Sequence, residues 1–255
     1  MPSPSHLLTR IFLVFLLSIL PTTTSTSPSP DLKKKDTAPS PWNRLNNPQI
    51  KHTSSPTATQ RSFTITTPPG TDIWRPAPGS AADNFTAPYV YRICKSSAFV
   101  RAAVTVSANW QTRYDQGGIA IVFPNSSGKK GAAGVTGAKW LKTGIEVEKG
   151  KPQLGTVATY AFSDWSLSPV VPAVKRLGTM EARFEVERNG TELWVYNVVK
   201  NDRYPLREVT WAFLEERGKK NAEIWVGVYA AKPIYTDGKP DKKLTVEFKN
   251  LRIEC

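Results

Sequence analysis

The stretch "MEARFEVERNGTELWVYNVV", residues 180–199, decides how this chain folds. Met180, Ala182, Phe184 and Val186 alternate with Glu181, Arg183, Glu185 and Glu187. A strand sends successive side chains to opposite faces, so this alternation makes one apolar and one charged face. Asn189-Gly190 then offers the positive φ angles of a tight hairpin turn, and Leu193, Val195 and Val199 resume an apolar face on a returning strand. A hairpin with one apolar face needs a second apolar surface to cover it.

The same period runs outward from this hairpin. "FVRAAVTVSANW" (99–110) puts Val100, Ala102, Val104, Val106 and Ala108 on one face and Arg101, Thr105 and Ser107 on the other. "SFTIT" (62–66), "AEIWVGVYA" (222–230) and "KLTVEFKNLRIEC" (243–255) continue the series, and in the last the apolar parity slips between Phe248 and Leu251, as a bulge produces. In "KWLKTGIEVEKG" (139–150), Leu141, Thr143, Ile145 and Val147 form the core face, leaving Trp140, Lys142, Glu146 and Glu148 on an open, charged one. "WAFLEERGKK" (211–220) has room for one short helical turn, and "YTDGKPD" (235–241) reads as a hairpin loop. Many alternating strands without a long helical pattern specify an all-β, antiparallel two-sheet sandwich.

The N-terminus reads differently. Arg10 precedes an apolar run from Ile11 to Leu20, too short to span a bilayer and followed by small residues, so residues 1–26 are expected to be a cleaved signal peptide; an uncleaved anchor is the alternative. Residues 27–61, rich in proline, serine and threonine, are expected to form a disordered linker. The sandwich domain is then 62–255. Cys94 and Cys255 are expected to pair in an oxidising compartment, which in the chain-entropy description stabilises by an amount on the order of 4 kcal/mol. Asn84, Asn125 and Asn189 each open an N-x-[ST] glycosylation triplet. Together these point to a secreted, extracellular glycoprotein.

The net charge is +13, with the basic residues scattered among the strands. A dense basic stripe is missing, so nucleic acid is not the expected partner. A glycan or polysaccharide is, an anionic one included. The chain has two histidines, His6 in the signal region and His52 in the linker region, so the sandwich is expected to hold none. Triad catalysis and histidine-bound zinc are thereby excluded. No cofactor and no metal site are expected; the aspartates of 235–241 are too few for calcium. Glu146/Glu148 and Glu185/Glu187 each share a strand face ~7 Å apart, a spacing open to glycosidase chemistry and equally to a salt-laced surface.

Two further stretches are candidates for a site. In "YDQGGIAIVF" (114–123), Asp115 either caps a turn or reaches a ligand beside Gln116. In "FSDWS" (162–166), Asp164, Trp165 and Ser166 combine an aromatic plate with hydrogen-bonding groups, or form a capped corner with the ring as core. "GTDIWRP" (70–76) has Asp72 and Trp74, and Trp74 reads as core or a covering loop, with a binding platform as the alternative.

"TDIW", "YDQGGIAIVF", "KWLKTGIEVEKGKPQLGTVAT" and "FSDWS", in this order, resemble a family of unknown function often labelled "regulation of enolase protein 1-like". The resemblance covers about residues 62–254. It implies a jelly-roll sandwich of the concanavalin A-like lectin/glucanase type and no established reaction. It also groups Tyr114, Asp115, Gln116, Lys139, Trp140, Lys142, Glu146, Asp164, Trp165 and Ser166 as one suspected ligand-binding cluster. Three functions stay open: a carbohydrate-binding module, a glycoside hydrolase or polysaccharide lyase with Tyr114 as base, and a non-catalytic structural or host-interaction protein. No residue is assigned as catalytic.

Overall fold

A computed structural model describes residues 41–52, 62–79, 83–124, 135–170, 178–214 and 222–255. In chain order the strands are β1 (Asn43–Leu45), β2 (Gln49–His52), β3 (Ser62–Thr67), β4 (Ile73–Trp74), β5 (Asn84–Phe85), β6 (Tyr89–Lys95), β7 (Arg101–Trp110) and β8 (Gln116–Phe123). They continue as β9 (Lys139–Glu148), β10 (Lys151–Thr159), β11 (Ser163–Ser168), β12 (Gly178–Asn189), β13 (Glu192–Val199), β14 (Asp202–Val209), β15 (Glu223–Ala231) and β16 (Leu244–Glu254).

Two seven-stranded antiparallel sheets face each other, ordered β1-β6-β15-β8-β9-β10-β11 and β14-β13-β12-β7-β16-β3-β2, with β4 and β5 as a separate pair. The jelly-roll sandwich is therefore present. The apolar faces read from alternation meet between the sheets, where Val104, Val106, Phe184, Val186 and Phe248 of one pack against Ile119, Ile121, Leu141, Ile145 and Val226 of the other. The parity slip in β16 is a register shift between Lys249 and Arg252, with Asn250 at φ 54°. Residues 235–241 do turn tightly, through a Thr236–Lys239 bridge with Gly238 at φ 68°. Cys94 on β6 and Cys255 beyond β16 are joined by a disulfide that links the two sheets.

Four expectations are corrected. Residues 43–52 are strands: β1 pairs with β6 and β2 with β3, so the sandwich starts inside the stretch read as linker, where Leu45 is buried and Ile50 packs on the core. Consequently the folded domain does contain a histidine, His52, exposed on an edge strand with its ring 6.3 Å from Phe63. Asn189 stays in β12 opposite Glu192, and only Gly190, at φ 61°, takes the positive angle of that turn. The face of β9 read as open is buried from Trp140 to Glu148. Residues 211–214 form turns, and 215–220 lie outside the described residues. So do the signal region, residues 27–40 and 53–61 of the linker region, and residues 125–134, Asn125 among them.

The burial of β9 has a definite cause. The segment around β4 and β5 lies over the outer face of the first sheet, on a second apolar layer of Tyr89, Tyr91, Val122, Trp140, Val157 and Trp225. Tyr89, Tyr91 and Trp225 stack in sequence at 4.8 Å between ring centroids. Backbone pairing ties the cover down: Ser163 N donates to Arg75 O at 2.9 Å, Arg75 N to Ser163 Oγ at 2.8 Å, and Thr71 N to Lys232 O at 3.2 Å. The cover stops short of one end of the sheet, and the candidate site lies there.

Candidate functional site

Strand register places the site's side chains in rows across the outer face. Gln116 of β8 is opposite Glu146 of β9, and Ala120 is opposite Lys142. Val157 of β10 stands between Lys142 and Trp165 of β11. Between those two rows run Gly118, Gly144 and Gly155, directly opposite one another. The side chains of the two rows on either side of these glycines bound a recess. Asp72 and Trp74 reach it from the cover and Tyr114 from the turn before β8, giving a cavity of about 290 Å³ lined by Asp72, Trp74, Tyr114, Gln116, Lys142, Glu146 and Trp165.

The polar groups form one network. Lys142 Nζ donates to Gln116 Oε1 at 2.7 Å and lies 3.5 Å from Asp72 Oδ1. Gln116 Nε2 donates to the same carboxylate at 3.3 Å, and Tyr229 Oη donates to Gln116 Oε1 at 3.3 Å. Burial pushes the Tyr229 hydroxyl well above its usual range, and the negative charges of Glu146 and Asp72 add to this, so it stays a donor. Across the recess Trp165 Nε1 donates to Glu146 Oε2 at 3.1 Å. The rings meet edge to face: Trp74 and Tyr114 stand 6.4 and 6.3 Å from Trp165, at 87° and 68°. Tyr114 holds φ 65°, a left-handed angle that a bulky residue adopts only under constraint.

Glu146 is the group most altered by its surroundings. Burial raises its carboxyl to about 7; Asp72 and Glu148 push the same way, against the pull of Lys142 and the Trp165 N–H. A carboxyl raised on folding binds its proton more tightly in the native state, so stability falls as pH rises from about 4.5 to about 7, then levels off. The advantage of wild type over Glu146→Gln is expected to shrink by about 3 kcal/mol between pH 4 and pH 8. Urea unfolding of both proteins across that range measures it, and parallel pH profiles would refute it.

Tyr114, Gln116, Lys142, Glu146 and Trp165 thus come together, and the other five suspected residues do not join them. Asp115 is buried in an ion pair with Lys232 Nζ at 2.9 Å and accepts from Gln111 N and Thr112 N at 3.2 and 2.9 Å, which is the turn-capping alternative. Trp140 is buried in the second apolar layer, because the cover lies over it. Lys139 has the opposite parity and sits over the rings of Phe123, Tyr160 and Trp211. Asp164 and Ser166 alternate with Trp165 and so point away; Asp164 accepts from Arg207 of β14 at 2.7 Å, and Ser166 Oγ donates to Thr156 O at 3.5 Å. Glu148 is held by two nitrogens of Arg113, Nε and Nη2, and Glu185 and Glu187 by Arg203, so the surface alternative holds for the second acidic pair. Trp74, expected as core or cover, enters the site, and so does Asp72, to which the sequence pattern assigns no role. Among the described residues no group of three or more His, Cys, Asp or Glu is placed to hold a metal ion, and no helix is long and apolar enough to cross a membrane.

A model of the family described as "Protein of unknown function (DUF1349)" matches residues 45–255. The expected resemblance to a family of unknown function with this fold is borne out, and the match begins within β1 rather than at residue 62. The chain is 42% identical over 193 residues to "Uncharacterized protein AN7484" of Emericella nidulans, covering 75% of this chain and 86% of that one. The crystal structure of a functionally unknown protein from Saccharomyces cerevisiae has the same fold, with a TM-score of 0.60 at 22% identity over 84% of this chain and 96% of that one.

Proposed function

We propose, for a chain that belongs to the DUF1349 family, that the recess binds a ring of a neutral glycan and that the protein is a secreted, lectin-like binder. The observation that carries this reading is the recess itself, with Trp74, Tyr114 and Trp165 walling a floor of hydrogen-bonding groups. Sugar rings present apolar C–H faces to aromatic plates and a hydroxyl rim to polar groups. A neutral sugar fits better than a uronate. Lys142 is 2% exposed and its ammonium already faces Asp72 and Gln116, so it has little to offer a ligand carboxylate. Glu146 in its ionised form would repel one. Secretion is supported by the disulfide, which belongs in an oxidising compartment.

Tryptophan fluorescence titrated with neutral and acidic oligosaccharides tests the reading. Saturable binding of a neutral sugar is expected, weakened tenfold or more in Trp165→Ala, a loss of about 1.4 kcal/mol. Trp165 is half-buried on an edge strand, so the variant keeps its fold. No response to any sugar would refute the reading. The raised carboxyl of Glu146 favours a second reading, in which it donates a proton to a glycosidic oxygen. New reducing ends, lost in Glu146→Gln, would move the assignment to a hydrolase.

A further inference from the structure

We infer that the recess is one subsite of a longer groove, and that the ligand is a linear oligosaccharide lying across the β9–β10 hairpin. The inference rests on the glycan reading above and adds the ligand's length and direction. A second cavity, of about 320 Å³, opens at the tip of that hairpin. Its polar lining comes from Glu148, Lys149, Lys151 and Gln153, and its apolar lining from Pro152, Pro169 and Val170.

Register makes the two cavities neighbours. Gln153, which lines the second, is the direct cross-strand partner of Glu146, which lines the first. Glu148 follows Glu146 on the same face, ~7 Å along the strand. Beside them Gly155 keeps the surface low: a methyl there would meet Glu146 Oε2 at 3.0 Å and Leu167 Cδ2 at 3.5 Å. One side chain bridges the two linings. The Arg113 guanidinium lies 4.5 Å over the Tyr114 ring of the first and binds the Glu148 carboxylate of the second at 2.9 and 3.0 Å.

Each cavity alone is at the small end of the roughly 300–1,000 Å³ typical of ligand sites, and together they fall well inside that range. The second lining sets two prolines and a valine beside charged and amide groups, so it too offers a sugar ring both apolar and hydrogen-bonding surface. The hairpin closes in a tight turn. Lys149 and Gly150 take φ 49° and 69° between Glu148 and Lys151, which are paired, the signature of a two-residue type I′ turn.

The test is calorimetric titration of the full chain with gluco- and xylo-oligosaccharides of one to four units, for wild type, Gln153→Ala and Lys151→Ala. Affinity is expected to rise about tenfold or more from the shortest ligand that binds to the trisaccharide, 1.4 kcal/mol per factor of ten. Each variant is expected to lose most of that rise while keeping its affinity for the shortest ligand. Lys151 is exposed, so its replacement does not threaten the fold. Equal affinity at every length, with Trp165→Ala still weakening binding tenfold or more, would overturn the extended groove and leave the single-ring site standing. Full retention of the length gain in both variants would also overturn it. Binding by no oligosaccharide would remove both.

Discussion

Lys232→Met is expected to lower folding stability by about 3–5 kcal/mol and to remove ligand binding beyond what the lost stability explains. Lys232 Nζ reaches Asp115 Oδ1 at 2.9 Å and Thr112 Oγ1 at 2.9 Å, and the ion-paired side chains are 2% and 3% exposed. Methionine fills similar volume but leaves the Asp115 charge buried against only the amides of Gln111 and Thr112. Removing one partner of a buried pair costs more than the pair itself contributes, because the remaining charge is uncompensated. The pair also binds three segments together. The Lys232 backbone holds Thr71, next to Asp72, and the Asp115 turn holds Tyr114 at its left-handed angle through Tyr114 N to Val147 O at 2.7 Å. Both walls of the recess therefore depend on it. Urea unfolding gives the stability change and glycan titration of the folded fraction gives the second effect. A loss below about 1 kcal/mol would show that the pair is dispensable.

Gly118→Ala and Gly144→Ala are the second pair of large effects, each expected to cost about 3–5 kcal/mol. A Cβ at Gly118 would lie 1.9 Å from Thr143 O, and one at Gly144 would lie 2.0 Å from Gly117 O. Those obstacles are backbone atoms of the adjacent central strand, so no side-chain rotation relieves them and the β8–β9 ladder itself must separate. Gly155→Ala is the informative contrast. Its methyl would meet chiefly Glu146, at 3.0 Å from Oε2, which a rotation of that side chain relieves, and at 3.2 Å from Cβ, which a shift of a few tenths of an ångström relieves, so about 1 kcal/mol is expected. Thermal unfolding of the three variants ranks them. Equal losses would mean that the glycine row is ordinary packing.

The hairpin at 180–199, the bulge in β16 and the disulfide were legible because each is written in local spacing or in a count: parity, a parity slip, two cysteines. β1 and β2 were not, since they are three and four residues long and sit in a stretch rich in proline, serine and threonine. Their order comes from pairing with β6 and β3, far along the chain or across a connection that composition does not reveal. The site was legible in half. Parity on β9 set Lys142 and Glu146 on one face, and parity on β11 would have sent Asp164 away from Trp165 had it been applied there. What no local pattern contains is the cover. The Arg75–Ser163 pairing brings Asp72 and Trp74 over the sheet, and in doing so turns the apparently open side of Trp140 into a second interior.

The last two strands sit in the middle of the sheets, β15 between β6 and β8 and β16 between β7 and β3. They act as keystones. Until both are seated, the first sheet is two separate ribbons and so is the second, and β6, β8, β7 and β3 all present bare hydrogen-bonding edges. Such edges recruit other chains, and long-range insertions of this kind form slowly, on the order of milliseconds to seconds. The interval before β15 and β16 dock is thus the period in which this protein is most exposed to aggregation, and its solubility during synthesis is governed by how quickly the residues from 223 onward find their slots.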